Sequence, residues 1–303
     1  MTNEIIYVGI DGGASHCRAN VYDANLRLLG QGRAGPANPV NGLQQTQSSI
    51  LQAISQALQA AGLADYPLQK LVVGAGLAGL HLTSQRQAMA AWQHPFRQLY
   101  LTTDLHAALL GALAGKDGGV IIMGTGFSAL AVVNGQQYPI GGYGFPINAT
   151  ASGSWFGLEV IKAVLHDFDG VGEATSLTQA VLAGCDVFSL AEKMNNAPAQ
   201  DFATFAPLVF AHAKQGDSVS MALIKQAAAY IDGVIQQLSR RGANSIALVG
   251  GVAPFIQPWL QAAHQNLIVA AQASPEYGVM LWAQQQFLIK QQTSETSAGA
   301  YHE

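Results

Sequence analysis

Asp11 closes the apolar run IIYVGI, and Asp104 comes two residues after the run QLYLT. A carboxylate at the carboxyl end of a buried strand stands where ligands bind in open α/β sheets. There it can accept a proton from an attacking hydroxyl or hold a hydrated divalent cation. Each has a plainer alternative: Asp104 would cap a helix starting at Leu105, and Asp11 would close an Asx-turn. Two glycine-rich turns accompany them, Gly12-Gly13-Ala14-Ser15 and Gly124-Thr125-Gly126. Backbone N–H groups in such turns can cradle polyphosphate without a Walker lysine, although hairpin geometry alone also selects glycine. The chain has no G-x-x-x-x-G-K-[ST] run. Gly250-Gly251 follows a short apolar run and would let a flat ring lie against the backbone, or simply connect strand to helix. Asn38, just before Pro39, offers a donor and an acceptor to a hydroxylated ligand or closes a turn.

The segment LVVGAGLAGL, residues 71–80, runs from an apolar strand into G-x-G-x-x-G, the pattern of a dinucleotide-binding turn. Asp104 lies 25 positions beyond Gly79, near where a ribose-binding acid is expected. That fingerprint needs its helix to begin at the third glycine. Thr83-Ser84 instead reads as an N-cap that delays the helix, so a dinucleotide-binding protein stands as an alternative reading.

Composition narrows the partners. With 303 residues, 50% hydrophobic and 11% charged, the chain can bury two cores in two domains. A formal charge of -4 and a pI near 6.0 leave no basic stripe for nucleic acid, so small molecules are expected as partners. No signal peptide and no bilayer-spanning apolar run is read, which implies a cytoplasmic protein without membrane association. Two cysteines, Cys17 and Cys185, argue against a disulfide framework or thiolate cluster and read as buried small hydrophobes. The eight histidines show no metal-ligand spacing, and His16 and His106, beside the motifs above, read as structural.

The elements that must position these residues follow a duplicated pattern. Strands at 5–10, 17–22 and 26–32 form an antiparallel meander, followed by a helix through Leu43 to Leu58 and a strand at 70–73. After another helix come a strand at 98–102 and a helix at 105–114. A second meander at 120–123, 128–133 and 136–140 repeats the first, its Asn134-Gly135 marking a hairpin. About a hundred residues of helical periodicity then precede strands at 245–249 and 267–270 and a last helix near 275–289. The expected domains are 1–116 and 117–290, the second enlarged by a helical insertion, with a loosely held polar tail at 291–303.

Asp11-Gly12-Gly13-Ala14-Ser15, Thr103-Asp104, Gly124-Thr125-Gly126 and Val249-Gly250-Gly251 fall in a recognisable order. They resemble the phosphate-1, connecting, phosphate-2 and adenosine motifs of the sugar kinase, heat-shock ATPase and actin superfamily. Within it the chain looks like the N-acetylglucosamine kinase and bacterial glucosamine kinase family, nearer to the latter through Phe145-Pro146-Ile147 and His94-Pro95-Phe96. Pro36-Ala37-Asn38, Leu77-Ala78-Gly79, Gly141-Gly142 and Gln215-Gly216-Asp217 add to the likeness, which covers nearly everything up to about residue 287.

The resemblance implies an α/β fold of two ribonuclease H-like (actin-like ATPase) domains facing a cleft that holds the ligands. It implies an ATP- and Mg2+-dependent kinase acting on the 6-hydroxyl of glucosamine or N-acetylglucosamine, and a homodimer. Asp104 would be the general base and Asp11 the magnesium ligand. Gly12, Gly13, Ser15, Gly124, Thr125, Gly126, Gly250 and Gly251 would hold ATP. Asn38, Ala78, Gly79, Thr103, Tyr143 and Asn148 would face the sugar, with the LVVGAGLAGL glycines allowing close approach of a hexose. One position departs from the pattern: relatives carry aspartate in the loop after Ile147, whereas this chain has Ala149. An aspartate there would face the sugar, so its loss motivates a second alternative, a nucleotide-binding sensor of the same fold with weakened catalysis. A reductase-activating ATPase of the superfamily would need cluster-ligating cysteines, which Cys17 and Cys185 do not supply.

Overall fold

The computed structural model describes residues 5–299, with side chains as far as residue 293. It divides into two compact units: the residues up to Lys116 with those from Ala271 onward, and Asp117–Ala270. In the first unit β1 (Ile6–Gly12), β2 (Cys17–Tyr22) and β3 (Leu28–Ala34) form the expected antiparallel meander. Helix α1 (Leu43–Ala60) leads to β4 (Leu71–Leu77), and α2 (Thr83–Ala90) to β5 (Gln98–Thr103) and α3 (Asp104–Ala112). Strands β4 and β5 add in parallel, giving the order β3-β2-β1-β4-β5.

The second unit repeats this plan. Its meander is β6 (Gly118–Met123), β7 (Phe127–Val133) and β8 (Gln136–Gly141). A helical insertion follows: α4 (Gly153–Phe168), α5 (Leu177–Val181), α6 (Val187–Met194), α7 (Ala199–Ala203), α8 (Ala206–Ala213) and α9 (Ser218–Arg240). Then come β9 (Ile246–Val249), the short helices α10 (Ala253–Ile256) and α11 (Ala262–Gln265), and β10 (Ile268–Val269). The order β8-β7-β6-β9-β10 matches that of the first sheet strand for strand, so the α/β duplication read from the sequence is present in the fold.

The first sheet is covered on both faces, and side-chain alternation sorts the residues between them. Val8, Ile10, Val73 and Ala75 join Ile50, Ile54 and Ala57 of α1 in one cluster. Tyr7, Tyr22 and Val72 join Met280 and Phe287 in another. Met280 and Phe287 lie on α12 (Pro275–Gly299), which corrects the expected second domain at 117–290: the last helix packs on the first sheet. Glycine makes that packing possible, since a Cβ on Gly9 would stand 1.7 Å from the Glu276 carbonyl oxygen. The segment expected as a polar tail from residue 291 continues α12 to Gly299; residues 300–303 lie outside the described residues. Cys17 is buried as expected, but Cys185 is exposed, because it sits in the turn between α5 and α6. No helix among the described residues is long and apolar enough to cross a membrane.

Candidate active site

In the first unit Asp11 lies near the end of β1, directly opposite Arg18 on β2 and beside Gly76 on β4. Its carboxyl is pushed up to about 6, first by burial and then by the nearby Glu276 carboxylate, with Asp104 adding a smaller push and Arg18 opposing. Asp104 opens α3 at the end of β5. Its Oδ1 accepts the Leu105 amide at 2.8 Å, but the cap proper is Thr103, whose Oγ1 accepts the His106 amide at 3.1 Å. Burial raises the Asp104 carboxyl above the ordinary carboxylate range, against the pull of the Leu105 amide and His81. His106 is buried and neutral, held down to about 4 by desolvation, and its Nδ1 lies 2.7 Å from the Thr102 hydroxyl.

The half-buried Asp11 gives one measurable consequence. It keeps its proton to about pH 6 in the fold, against 3.8 for the ordinary group, so the folded state loses stability as pH rises through that window. Above the window the loss is complete. Asp11→Asn removes it and is expected to stabilise the protein at pH 7 by on the order of 1–3 kcal/mol, with no gain near pH 3.5. Thermal denaturation at the two pH values checks this.

The other expected residues of this unit divide into those still free and those already engaged. Gly13 spends its amide on the His16 carbonyl at 2.9 Å, and Gly12 packs inside the sheet against Leu77 and Ala37. The Gly13 amide is thus consumed by the hairpin itself. The Ser15 amide, at the exposed tip, has no hydrogen-bond partner among the described residues. Ala78 gives its amide to the Gly12 carbonyl at 2.8 Å. Asn38 Oδ1 accepts the Val40 amide at 3.0 Å, an Asx-turn that leaves the Asn38 amide nitrogen available.

The glycines of LVVGAGLAGL serve packing. A Cβ on Gly74 would meet the Val279 carbonyl of α12 at 2.4 Å, one on Gly76 the Ala107 methyl of α3 at 2.3 Å, and one on Gly79 the Asn38 Oδ1 at 2.5 Å. The close approach expected of a hexose is thus made by protein atoms. The helix starts at Thr83, four residues after Gly79 and with Leu82 at the cap, so no helix N-terminus meets the third glycine as a dinucleotide turn requires.

The second unit carries a pocket of about 440 Å³. Its lining combines small residues (Gly124, Thr125, Gly153, Gly251) with apolar ones, Phe210 and Phe255 among them. Phe210 and Phe255 stack at 4.3 Å between ring centroids, 12° from parallel. A Cβ on Gly124, Gly126 or Gly251 would meet nothing within 4 Å, so those positions border open space. Gly250 differs: its Cβ would strike the Met123 carbonyl at 2.3 Å, and it locks the β9 end against the β6–β7 turn. Gly124 donates to the Gly126 carbonyl at 3.1 Å, leaving the amides of Thr125 and Gly126 without partners among the described residues. Aromatic rings in one pocket with free amides and a hydroxyl suit a purine base with attached phosphates.

Tyr143 is 72% exposed on the loop after β8. Asn148, on the same loop, has a buried Oδ1 without a hydrogen-bond partner. Ala149 is 5% exposed and belongs to the core cluster of its unit, which corrects the expectation that this position faces a ligand. Sequence reasoning missed Glu276, Phe210 and Phe255. The first looks like an ordinary acidic first turn of a helix, and the two rings come from separate helices 45 residues apart in sequence, with no local signal joining them.

The family model described as the BadF/BadG/BcrA/BcrD ATPase family matches residues 8–283. The chain belongs to this family. It is 35% identical to a glucosamine kinase of Vibrio cholerae over 91% of this chain and 95% of that protein. An N-acetyl-D-glucosamine kinase of Dictyostelium discoideum is 27% identical over 74% of this chain and 76% of its own length. Among solved structures, a protein provisionally called an N-acetylglucosamine kinase, from Chromobacterium violaceum, superposes with a TM-score of 0.84 at 28% identity. That match covers 92% of this chain and 99% of the other, and it places the two mixed sheets in the actin-like ATPase fold.

Proposed function

We propose that this member of the ATPase family is an amino-sugar kinase, transferring the γ-phosphoryl of ATP to the 6-hydroxyl of glucosamine or N-acetylglucosamine. The observation that carries the reading is Asp104: a carboxylate at a strand end, half-buried, anchored through one oxygen by the Leu105 amide. Its second oxygen takes the proton as the sugar oxygen attacks phosphorus and ADP leaves. The likeness to glucosamine and N-acetylglucosamine kinases supports the substrate class.

ATP fits the pocket of the second unit, its base against the Phe210 and Phe255 side and its phosphates toward Thr125 and Gly126. Asp11 fits magnesium through the chemistry of a strand-end carboxylate whose charge is unfavourable where it stands. A hydrated magnesium ion there would neutralise phosphate charge while keeping most of its waters. Ser15 supports the phosphates through its free amide. On the sugar side Asn38 offers its amide nitrogen and Thr103 its hydroxyl proton, with Tyr143 and Asn148 completing the candidates. The protein acts in the cytoplasm, as a homodimer.

A coupled assay of ADP release over glucosamine, N-acetylglucosamine, glucose and no sugar tests the reading. Release that depends on a hexosamine is expected; release indifferent to every sugar would overturn it. The nucleotide pocket has its own test. Gly251→Val places a branched side chain in open pocket space and is expected to raise the KM for ATP about tenfold or more, leaving the sugar KM nearly unchanged. Steady-state kinetics with each substrate varied in turn reads both.

A further inference from the structure

Glu276 is a buried carboxylate to which the reaction above gives no task. Its side chain is 5% exposed, in the first turn of α12, and its near counter-charge is Arg18, with Nη1 3.8 Å from Oε1. Burying a carboxylate is costly unless it is paired, so the pair has a reason to persist. The same Nη1 lies 3.9 Å from Asp11 Oδ2, and Nη2 lies 2.9 Å from His16 Nε2, which accepts from it. Arg33 stands opposite Arg18 on β3 and adds a like charge beside it.

Arg18 is therefore held without being saturated. A guanidinium has five N–H donors, and here one meets His16 while both carboxylates stand beyond hydrogen-bond distance. Its side chain is 47% exposed. Arg18 also sits one register pair below Gly12–Cys17, at the turn whose Ser15 amide is free. Donors that converge at one end of a hairpin suit an anion with several oxygens.

We infer that Glu276 is a positioning residue, which holds the Arg18 guanidinium at the tip of the β1–β2 hairpin so that its free N–H groups bind the outer phosphates of a nucleotide. The inference rests on the reading of this hairpin as the phosphate side of the kinase. It predicts that Glu276 acts on the β- and γ-phosphates through Arg18, an effect separable from its charge on Asp11 when magnesium is left out.

Calorimetric titration of the full chain with ATP and with AMP, both without magnesium, in the wild type and in Glu276→Gln, Arg18→Gln and the double variant, tests it. The Kd for ATP is expected to rise about tenfold in each single variant and little further in the double, while the Kd for AMP stays within about twofold. Glu276→Asp is expected to recover most of the ATP affinity. Equal losses for ATP and AMP, an unchanged ATP affinity in Glu276→Gln, or losses that multiply in the double variant would each overturn the inference, as would a fall in melting temperature with no split between the nucleotides. A wild-type chain that binds ATP yet phosphorylates no hexosamine defeats the kinase reading alone.

Discussion

Asp104→Asn is expected to lower kcat by about a hundred- to ten-thousandfold, with the sugar KM nearly unchanged. Asparagine keeps the shape of the side chain and an oxygen for the Leu105 amide, so the turn from β5 into α3 survives. The helix cap survives too, because Thr103 supplies it. What disappears is the proton acceptor. The acid limb carries a second signature. Burial raises the Asp104 carboxyl, so the base is lost to protonation at a higher pH than an ordinary aspartate. Wild-type kcat should therefore fall as pH drops through a point above the ordinary aspartate range, and the residual activity of the variant should lack that limb. Turnover within a few-fold of wild type at saturating sugar would leave Asp104 as a residue of the helix start and nothing more.

Much of the fold was legible because it repeats. Two meanders with glycine turns, each followed by two strands separated by helices, admit few arrangements, and both sheets take the same strand order. The pairing of α12 with the first sheet was not legible. Its apolar positions announce a buried face, but the partner is set by Gly9 and Gly74, whose small size reads equally as turn chemistry or as a ligand cradle. The same ambiguity runs through LVVGAGLAGL, where three glycines that looked like an approach for a ligand receive α12, α3 and Asn38.

At the candidate site the strand-end aspartates were legible because position and chemistry coincide in one residue. Backbone donors were less so. A glycine turn shows that amides are near, yet only the fold shows that Gly13 and Gly124 spend theirs inside the hairpins while Ser15, Thr125 and Gly126 keep theirs. Arg18 and Glu276 were hidden for a different reason, since they lie about 260 residues apart in sequence and meet only when the chain returns to its first sheet.

Ala149→Asp is expected to destabilise the protein by roughly 3–5 kcal/mol, the cost of an unpaired charge in an apolar interior. The likeness to amino-sugar kinases suggested the opposite, that an aspartate at this position would face a protonated sugar and improve its binding. In the fold Ala149 is 5% exposed and shares the core cluster with Ala151, Trp155 and Phe156. Its carbonyl accepts the Ser152 amide at 2.9 Å, which ties the residue to the start of α4. A carboxylate there must stay protonated, or drag the loop outward and uncap the helix that Ser152 begins through its bond to the Trp155 amide. Urea denaturation should show a lower midpoint with little change in slope. The gain in kcat/KM with glucosamine over glucose that a sugar-facing carboxylate would bring should be absent. A variant of normal stability that does show this gain would mean that the loop from Gly141 to Ser152 turns residue 149 outward when substrate is bound. Asn148, whose Oδ1 lies buried without a partner, would then be the residue whose hydrogen bonding drives the change.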